Sequence, residues 1–192
     1  MSTPLRSNDI PCFAHLAQHY TEGIDYAIRV VSRVSRVAIL APHGGRIEGR
    51  TSEVARLFAG DEHRLYLFEG LRPNGDNFDC LHLASHCFDE PRALQLIADC
   101  DTVVAVHGYA AVGPDVLLGG LDQRLKRELS RALGDHGVSC LADGHRFPGK
   151  HPHNICNRGR AGAGVQLELS EGLRKAGDFS GLAAALREVL GA

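Results

Sequence analysis

The run RVAILAPHGGRIEGRTSEVA, residues 36–55, passes from a strand through a hinge into a helix. Residues 36–41 have the apolar run of a strand buried on both faces. Residues 51–59 open on a Thr-Ser cap signal and continue with helical spacing. A strand joined to a helix in this way is the repeating unit of an α/β protein. The hinge holds His43, Gly44, Gly45 and Glu48. A surface turn uses the glycines but has no need of an imidazole and a carboxylate five residues apart, whereas half of a metal site needs both.

On either side the alternation repeats. Strand-like runs lie at 64–70, 80–85, 102–108, 138–143 and 164–170. Helical patterns lie at 90–100, with a proline in the first turn, at 121–137, with leucines at helical spacing before a glycine stop, and at 178–192. This order predicts an α/β fold with a largely parallel sheet covered on both faces. The one long stretch without periodicity, 149–164, is rich in Gly, Asn, His and Arg. Long polar loops in compact domains are usually functional, so it is expected beside the site.

The length of 192 residues fits one domain with a sizeable core. Hydrophobic residues make up 44% and charged residues 23%, the mixture of an ordinary globular chain rather than a disordered or fibrous one. A formal net charge of -2 argues against a broad basic face for nucleic acid. The N-terminus lacks the apolar run of a secretory signal, and no segment has about 18 uninterrupted apolar residues, so a soluble protein without a membrane span is expected. The cysteines at 12, 80, 87, 100, 140 and 156 form no C-x-x-C pair and read as reduced core residues rather than zinc thiolates.

Ligands of open α/β sheets collect at the carboxyl ends of strands. The polar residues at those places are His43, His86, His107 and, inside the apolar run VQLELS, Glu168. A zinc ion that performs hydrolysis takes three His or carboxylate ligands and keeps one position for water. His43, Glu48 and His107 supply such a set, with the glycines between the first two letting the chain fold back. A glutamate in a buried strand is costly unless a cation or a metal-activated water compensates it, which suits Glu168 as general base. Arg158 and Asn157 form a fork suited to a substrate carboxylate. Arg46, Arg50 and Arg160 would add positive potential at the same mouth.

Each residue also has a plainer use. His43 could cap or fill the core, Glu48 could be a solvated turn residue, His107 could end a strand, and Glu168 could share the outer face of an edge strand with Gln166. Other chemistries lack their signatures. There is no G-x-x-x-x-G-K-[ST], no G-x-G-x-x-G opening a helix, and no G-x-S-x-G around Ser85.

In order along the chain, APHGGRIEGRTSEVA, LYLFEGLR, SHCFDEP, VHGY, NICNRG and GVQLELSEGLR resemble the poly-γ-glutamate hydrolases of bacteriophages and bacilli. The resemblance covers residues 36–174. It implies an open mixed, largely parallel sheet flanked by helices, similar to the zinc carboxypeptidases. The chain would then be a single catalytic domain (1–192), with an N-terminal lead-in (1–30), a motif-bearing core (36–174) and a C-terminal helix (178–192). It further implies one Zn2+ held by His43, Glu48 and His107, Glu168 as general base, and, from the HGY motif, Tyr109 beside the ion. The implied activity is hydrolysis of γ-glutamyl amide bonds in poly-γ-glutamate. Two features depart from the carboxypeptidases: their first two ligands are spaced H-x-x-E, and their Asn-Arg pair precedes the second histidine, whereas Asn157-Arg158 follows it. A zinc amidohydrolase for short γ-glutamyl peptides or N-acyl amino acids, or a noncatalytic module that binds anionic polymer, stays open. The partner expected is an anionic polyglutamate met by a monomer, in the cytoplasm or after release by lysis, with no nucleic acid or membrane involved.

Overall fold

The computed structural model describes residues 10–111 and 113–191. The first nine residues of the expected lead-in, Val112 within the expected core and the last residue of the expected C-terminal helix lie outside the described residues. Seven strands form one sheet: β1 (Tyr26–Val31), β2 (Val37–Gly45), β3 (Arg64–Gly70), β4 (Thr102–Tyr109), β5 (Val116–Gly120), β6 (Cys140–Leu141) and β7 (Val165–Ser170). The helices are α1 (Phe13–His19), α2 (Thr51–Ala59), α3 (Asn77–Leu81), α4 (Pro91–Ile97), α5 (Gln123–Asp135), α6 (Glu171–Ala176) and α7 (Ser180–Leu190).

The strand order is β1-β3-β2-β4-β7-β5-β6. β3, β2, β4 and β7 run parallel at its centre, while β1 joins β3 and β5 joins β7 antiparallel. The sheet is therefore open and mixed with a parallel heart, as the sequence patterns and the resemblance imply. Buried side chains of α2, α5 and α7 pack on one face, and those of α1, α3 and α4 on the other. Ile39, Val104, Val106, Val165 and Leu167 serve the first layer; Ala38, Leu40, Val103 and Ala105 serve the second. Among the described residues, no helix is long and apolar enough to cross a membrane.

Several elements differ from the sequence reading, and α1 and α6 have no counterpart in it. Residues 80–85 are no strand: Cys80 and Leu81 end α3, and the chain then leaves as a loop. Their alternating apolar pattern is satisfied by packing Cys80, Leu81 and Leu83 into the second layer. The expected strand at 138–143 shrinks to Cys140–Leu141. β1 is an edge strand exposed over half its length, so its pattern is weak. β5 was hidden by its two glycines, which the packing demands: Gly120 has φ +105 and a Cβ there would lie 2.1 Å from the Gly164 carbonyl oxygen.

The topology fixes where a site can form. From β2 the chain passes through α2 to β3 on one side, and β4 lies on β2's other side, so the carboxyl ends of β2 and β4 flank a switch point. Their pairing stops at Leu40↔Ala105, short of His43 and His107. Between Ala41 and Gly44, β2 also carries an extra residue relative to β3. That bulge changes what His43 faces. Ala41 points to the α2 layer, so strict alternation would send His43 there too. The inserted residue reverses the parity and turns the imidazole toward the layer that holds His107.

Candidate metal centre

The loop after β2 folds back on itself to return Glu48 to His43. Glu48 N donates to the His43 carbonyl at 2.9 Å, and the Thr51 hydroxyl donates to the Glu48 carbonyl at 2.8 Å. Gly45, at φ +62, passes so close to β3 that a Cβ would lie 2.6 Å from the Gly70 carbonyl oxygen. The glycine pair is thus required by a close approach as well as by a turn. The carboxylate of Glu48 is buried, and its Oε2 accepts at 2.8 Å from Gly108 N, the residue after His107 on β4.

The nitrogen donors converge on this carboxylate. His43 Nε2 lies 2.8 Å from the Leu83 carbonyl, which can only accept, so Nε2 carries the hydrogen and Nδ1 presents its lone pair. Nδ1 of His43 is 3.1 Å from Glu48 Oε1 and 3.1 Å from Nδ1 of His107. His107 Nδ1 is 3.7 Å from Glu48 Oε2, and His82 Nε2 is 3.3 Å from Oε1. Donors sharing one ion at bonds of about 2.0–2.2 Å stand about 3.3 Å apart in a tetrahedron. The chemistry and spacing of these atoms fit a divalent metal.

Burial and neighbouring charge set the protonation of these groups. Burial pulls His43 down to about 4, with the neighbouring His82 adding to the effect, so its imidazole is neutral at neutral pH. Burial opposes ionisation of Glu48, but the imidazoles of His43, His107 and His82 around it outweigh that and hold it well below the usual carboxylate range. His107 is buried too, yet its contacts with Glu48 and the charge of Glu168 raise its proton affinity.

Glu168 stands beside this cluster. It lies on β7, an interior strand, with His107 as its Cα partner on β4, so the two side chains project from the same face. The carboxyl is 7% exposed and pushed up to about 7 by burial, with the charge of Glu48 adding to the rise and His107, Arg146 and Arg174 opposing it. Gln166, two residues earlier on the same face, donates from Nε2 to Glu168 Oε1 at 3.1 Å and to the Phe147 carbonyl at 3.2 Å. Its Oε1 accepts from Asn154 Nδ2 at 2.7 Å. That contact fixes the amide orientation and so guarantees that Gln166 presents a donor to Glu168.

These residues line a cleft of about 680 Å³ whose walls include His82, Tyr109, Arg146 and Lys150. Tyr109, expected beside the ion, lines the cleft, and its hydroxyl is committed to the Pro114 carbonyl. Arg158 and Asn157 are a correction, because the structure does not bring them to the cleft. All four hydrogen-bonding positions of Asn157 are taken by backbone: Leu121 N and Gly164 N donate to Oδ1, and Nδ2 donates to the carbonyls of Gly149 and His151. Arg158 reaches the Phe88 carbonyl at 3.5 Å. Arg46, Arg50 and Arg160 also lie away, held by the Arg72 carbonyl, Glu53 and Asp101. His86 does line the cleft, beside His151.

Sequence reasoning missed His82, Gln166, Asn154 and Arg146. His82 was hidden because 80–85 reads as a strand. Gln166 had a usable signal, since two polar residues two apart on an otherwise apolar interior strand must compensate each other.

An open mixed sheet with a His, Glu and His cluster and a buried glutamate at its switch point defines the class: an α/β protein whose clustered side chains can hold a metal ion. The chain belongs to the poly-gamma-glutamate hydrolase family, whose family model matches residues 11–184. It is 40% identical over 154 residues to the SPbeta prophage-derived protein YoqZ of Bacillus subtilis, covering 79% of this chain and 55% of YoqZ. Identity to YndL of the same organism is 40% over 153 residues, covering 79% of this chain and 60% of YndL. The chain thus spans under two thirds of the length of these curated relatives. Among solved structures, a bacteriophage poly-gamma-glutamate hydrolase superposes with a TM-score of 0.89 at 30% identity, covering 95% of this chain and 96% of that one. The zinc-free apo form of YndL gives 0.86 at 33% identity with the same coverage. A Burkholderia mallei protein described as a carboxypeptidase, at 0.50 and 15% identity, shares the fold alone; the match covers 86% of this chain and 58% of that one.

Proposed function

We propose that this chain is a single catalytic domain that hydrolyses the γ-glutamyl amide bonds of poly-γ-glutamate with one zinc ion held by His43, Glu48 and His107. The observation that carries the reading is the convergence of these three side chains beside a buried, elevated Glu168. Family membership and the likeness to a phage hydrolase and to a relative studied in a zinc-free form support the substrate and the metal.

When bound, zinc supplies Lewis acidity toward the amide carbonyl and toward water. The remaining work belongs to the chain. His43 is held in one tautomer by Leu83, and Glu48 is held ionised by the imidazoles around it and oriented by Gly108 N. Glu168, aimed by Gln166, takes the proton of the attacking water as its oxygen bonds to the amide carbon. The same carboxyl then gives that proton to the γ-amide nitrogen as the C–N bond breaks. An elevated affinity for protons suits a group that both accepts and returns one. Tyr109 forms a wall of the cleft beside this reaction. The protein acts as a monomer, with no nucleic acid or membrane partner, and meets its polymer in the cytoplasm or after lysis.

The test is size-exclusion chromatography of poly-γ-glutamate incubated with zinc-loaded protein, with and without chelator. Chelator-sensitive shortening of the polymer is expected. Turnover of small γ-glutamyl peptides or N-acyl amino acids with intact polymer would replace the substrate. Binding of polymer with no cleavage of any γ-glutamyl bond would mark a noncatalytic module.

A further inference from the structure

A γ-linked glutamate polymer carries a free α-carboxylate on every unit, so the reading above requires a group that meets this charge beside the scissile bond. Most arginines among the described residues are already matched to a carboxylate, including Arg56 with Glu69, Arg64 with Asp99, Arg72 with Asp25 and Asp76, and Arg92 with Glu22. Three cationic side chains of Arg or Lys line the cleft: Arg146, Lys150 and Arg174. The Arg174 guanidinium is spent on backbone, donating to the carbonyls of Gly49, Leu169 and Tyr109. Arg146 and Lys150 have no ion pair among the described residues, although each is a charged group beside a deep cleft.

The segment that presents them is fixed. Phe147 N donates to His145 Nδ1 at 3.2 Å, and the other ring nitrogen of His145 donates to the Leu118 carbonyl at 3.0 Å. Gly120 N donates to the Pro148 carbonyl at 2.9 Å, and Asn157 Nδ2 to the Gly149 carbonyl at 2.8 Å. The Phe147 carbonyl accepts from Gln166, the residue that also holds Glu168. One amide therefore sets the spacing between Arg146's loop and the proposed base. The Arg146 guanidinium lies over the Phe147 ring, its Cζ 4.8 Å from the centroid, which restrains the long side chain while leaving its N–H edge free. Arg146 lines the same cleft as Glu168 and Tyr109.

We propose that Arg146, seconded by Lys150, is the specificity element that receives the free α-carboxylate of the γ-linked glutamate next to the bond to be cut. A planar guanidinium offers two parallel N–H donors to a carboxylate, whereas Lys150 can add only a point charge. This rests on the poly-γ-glutamate reading.

The experiment measures binding and turnover separately. Binding of poly-γ-glutamate, and of the same polymer with its α-carboxylates methyl-esterified, is titrated against the Glu168→Gln protein and its Arg146→Ala, Arg146→Lys and Lys150→Ala derivatives. KM and kcat are measured for the single Arg146 variants. Arg146→Ala is expected to weaken binding of the charged polymer about ten- to hundredfold and to raise KM similarly, with kcat within a few-fold. Arg146→Lys should recover part of the loss, and the esterified polymer should not discriminate between Arg146 and Ala. Unchanged affinity and KM in folded Arg146→Ala, equal losses for both polymers, or a loss confined to Lys150→Ala would overturn the assignment. Those results would leave hydrolysis by the wild type standing. If wild-type protein takes up zinc and neither binds nor cuts the polymer, the functional reading itself fails.

Discussion

Replacing Glu168 by Gln should abolish turnover and, in the metal-free protein, strengthen the fold at alkaline pH. The carboxyl titrates at about 7 in the fold against an ordinary value of 4.5, and burial is the main cause. Between those two values the folded chain keeps a proton that the unfolded chain has released. Stability from this group is therefore present below pH 4.5, falls as pH rises, and is fully lost above 7. At 1.36 kcal/mol per pH unit, the penalty is about 1 kcal/mol at pH 5 and about 3 kcal/mol at pH 8.5. Glutamine carries no charge at either pH and keeps an acceptor for Gln166. The stability of Glu168→Gln relative to wild type should thus improve by about 2 kcal/mol between pH 5 and pH 8.5, or about 4–8 °C in melting temperature for a chain of this size. Urea unfolding of both proteins in chelator at the two pH values measures it, and the difference of differences cancels the titrating groups that Glu168 does not touch, leaving Glu168 together with its neighbour His107. A difference that does not change with pH would refute the burial argument, and so would a variant that grows weaker at high pH.

Three further outcomes follow from the geometry. His107→Ala should lower zinc affinity by more than the about 10–100-fold that losing an outer partner costs, while His82→Ala should retain stoichiometric zinc. Metal analysis after dialysis reads this, and the reverse result would make His43, Glu48 and His82 the ligand set, since those three also lie close enough to share an ion. Asn154→Ala frees the Gln166 amide, so kcat on poly-γ-glutamate should fall about tenfold with zinc content unchanged; an unaltered kcat would remove Gln166 from positioning Glu168. Gly120→Ala should destabilise by about 2–4 kcal/mol in urea unfolding, because its φ of +105 and the Gly164 carbonyl both exclude a Cβ, and a loss below 1 kcal/mol would show that β5 can shift.

Much of the site is readable in one dimension because burial and strand ends leave local marks. His43, His107 and Glu168 interrupt or terminate apolar runs, and an ionisable group in such a place requires compensation wherever the chain goes. The alternation of apolar runs with helical spacing likewise carries the α/β architecture, since periodicity records which faces are covered. What periodicity cannot carry is parity and partnership. The single extra residue between Ala41 and Gly44 reverses the face of His43, and no composition rule marks it. Residues 80–85 have a strand's pattern, yet they pack as a helix end and a loop, and that exposes His82 to the cleft. Asn157, expected to meet a substrate carboxylate, is consumed by four backbone groups, whereas Arg146, unmarked in the sequence, is left without a carboxylate among the described residues. Local sequence states what must be buried and what must be compensated. Which group does the compensating depends on contacts between residues far apart in the chain, and those exist only once it has folded.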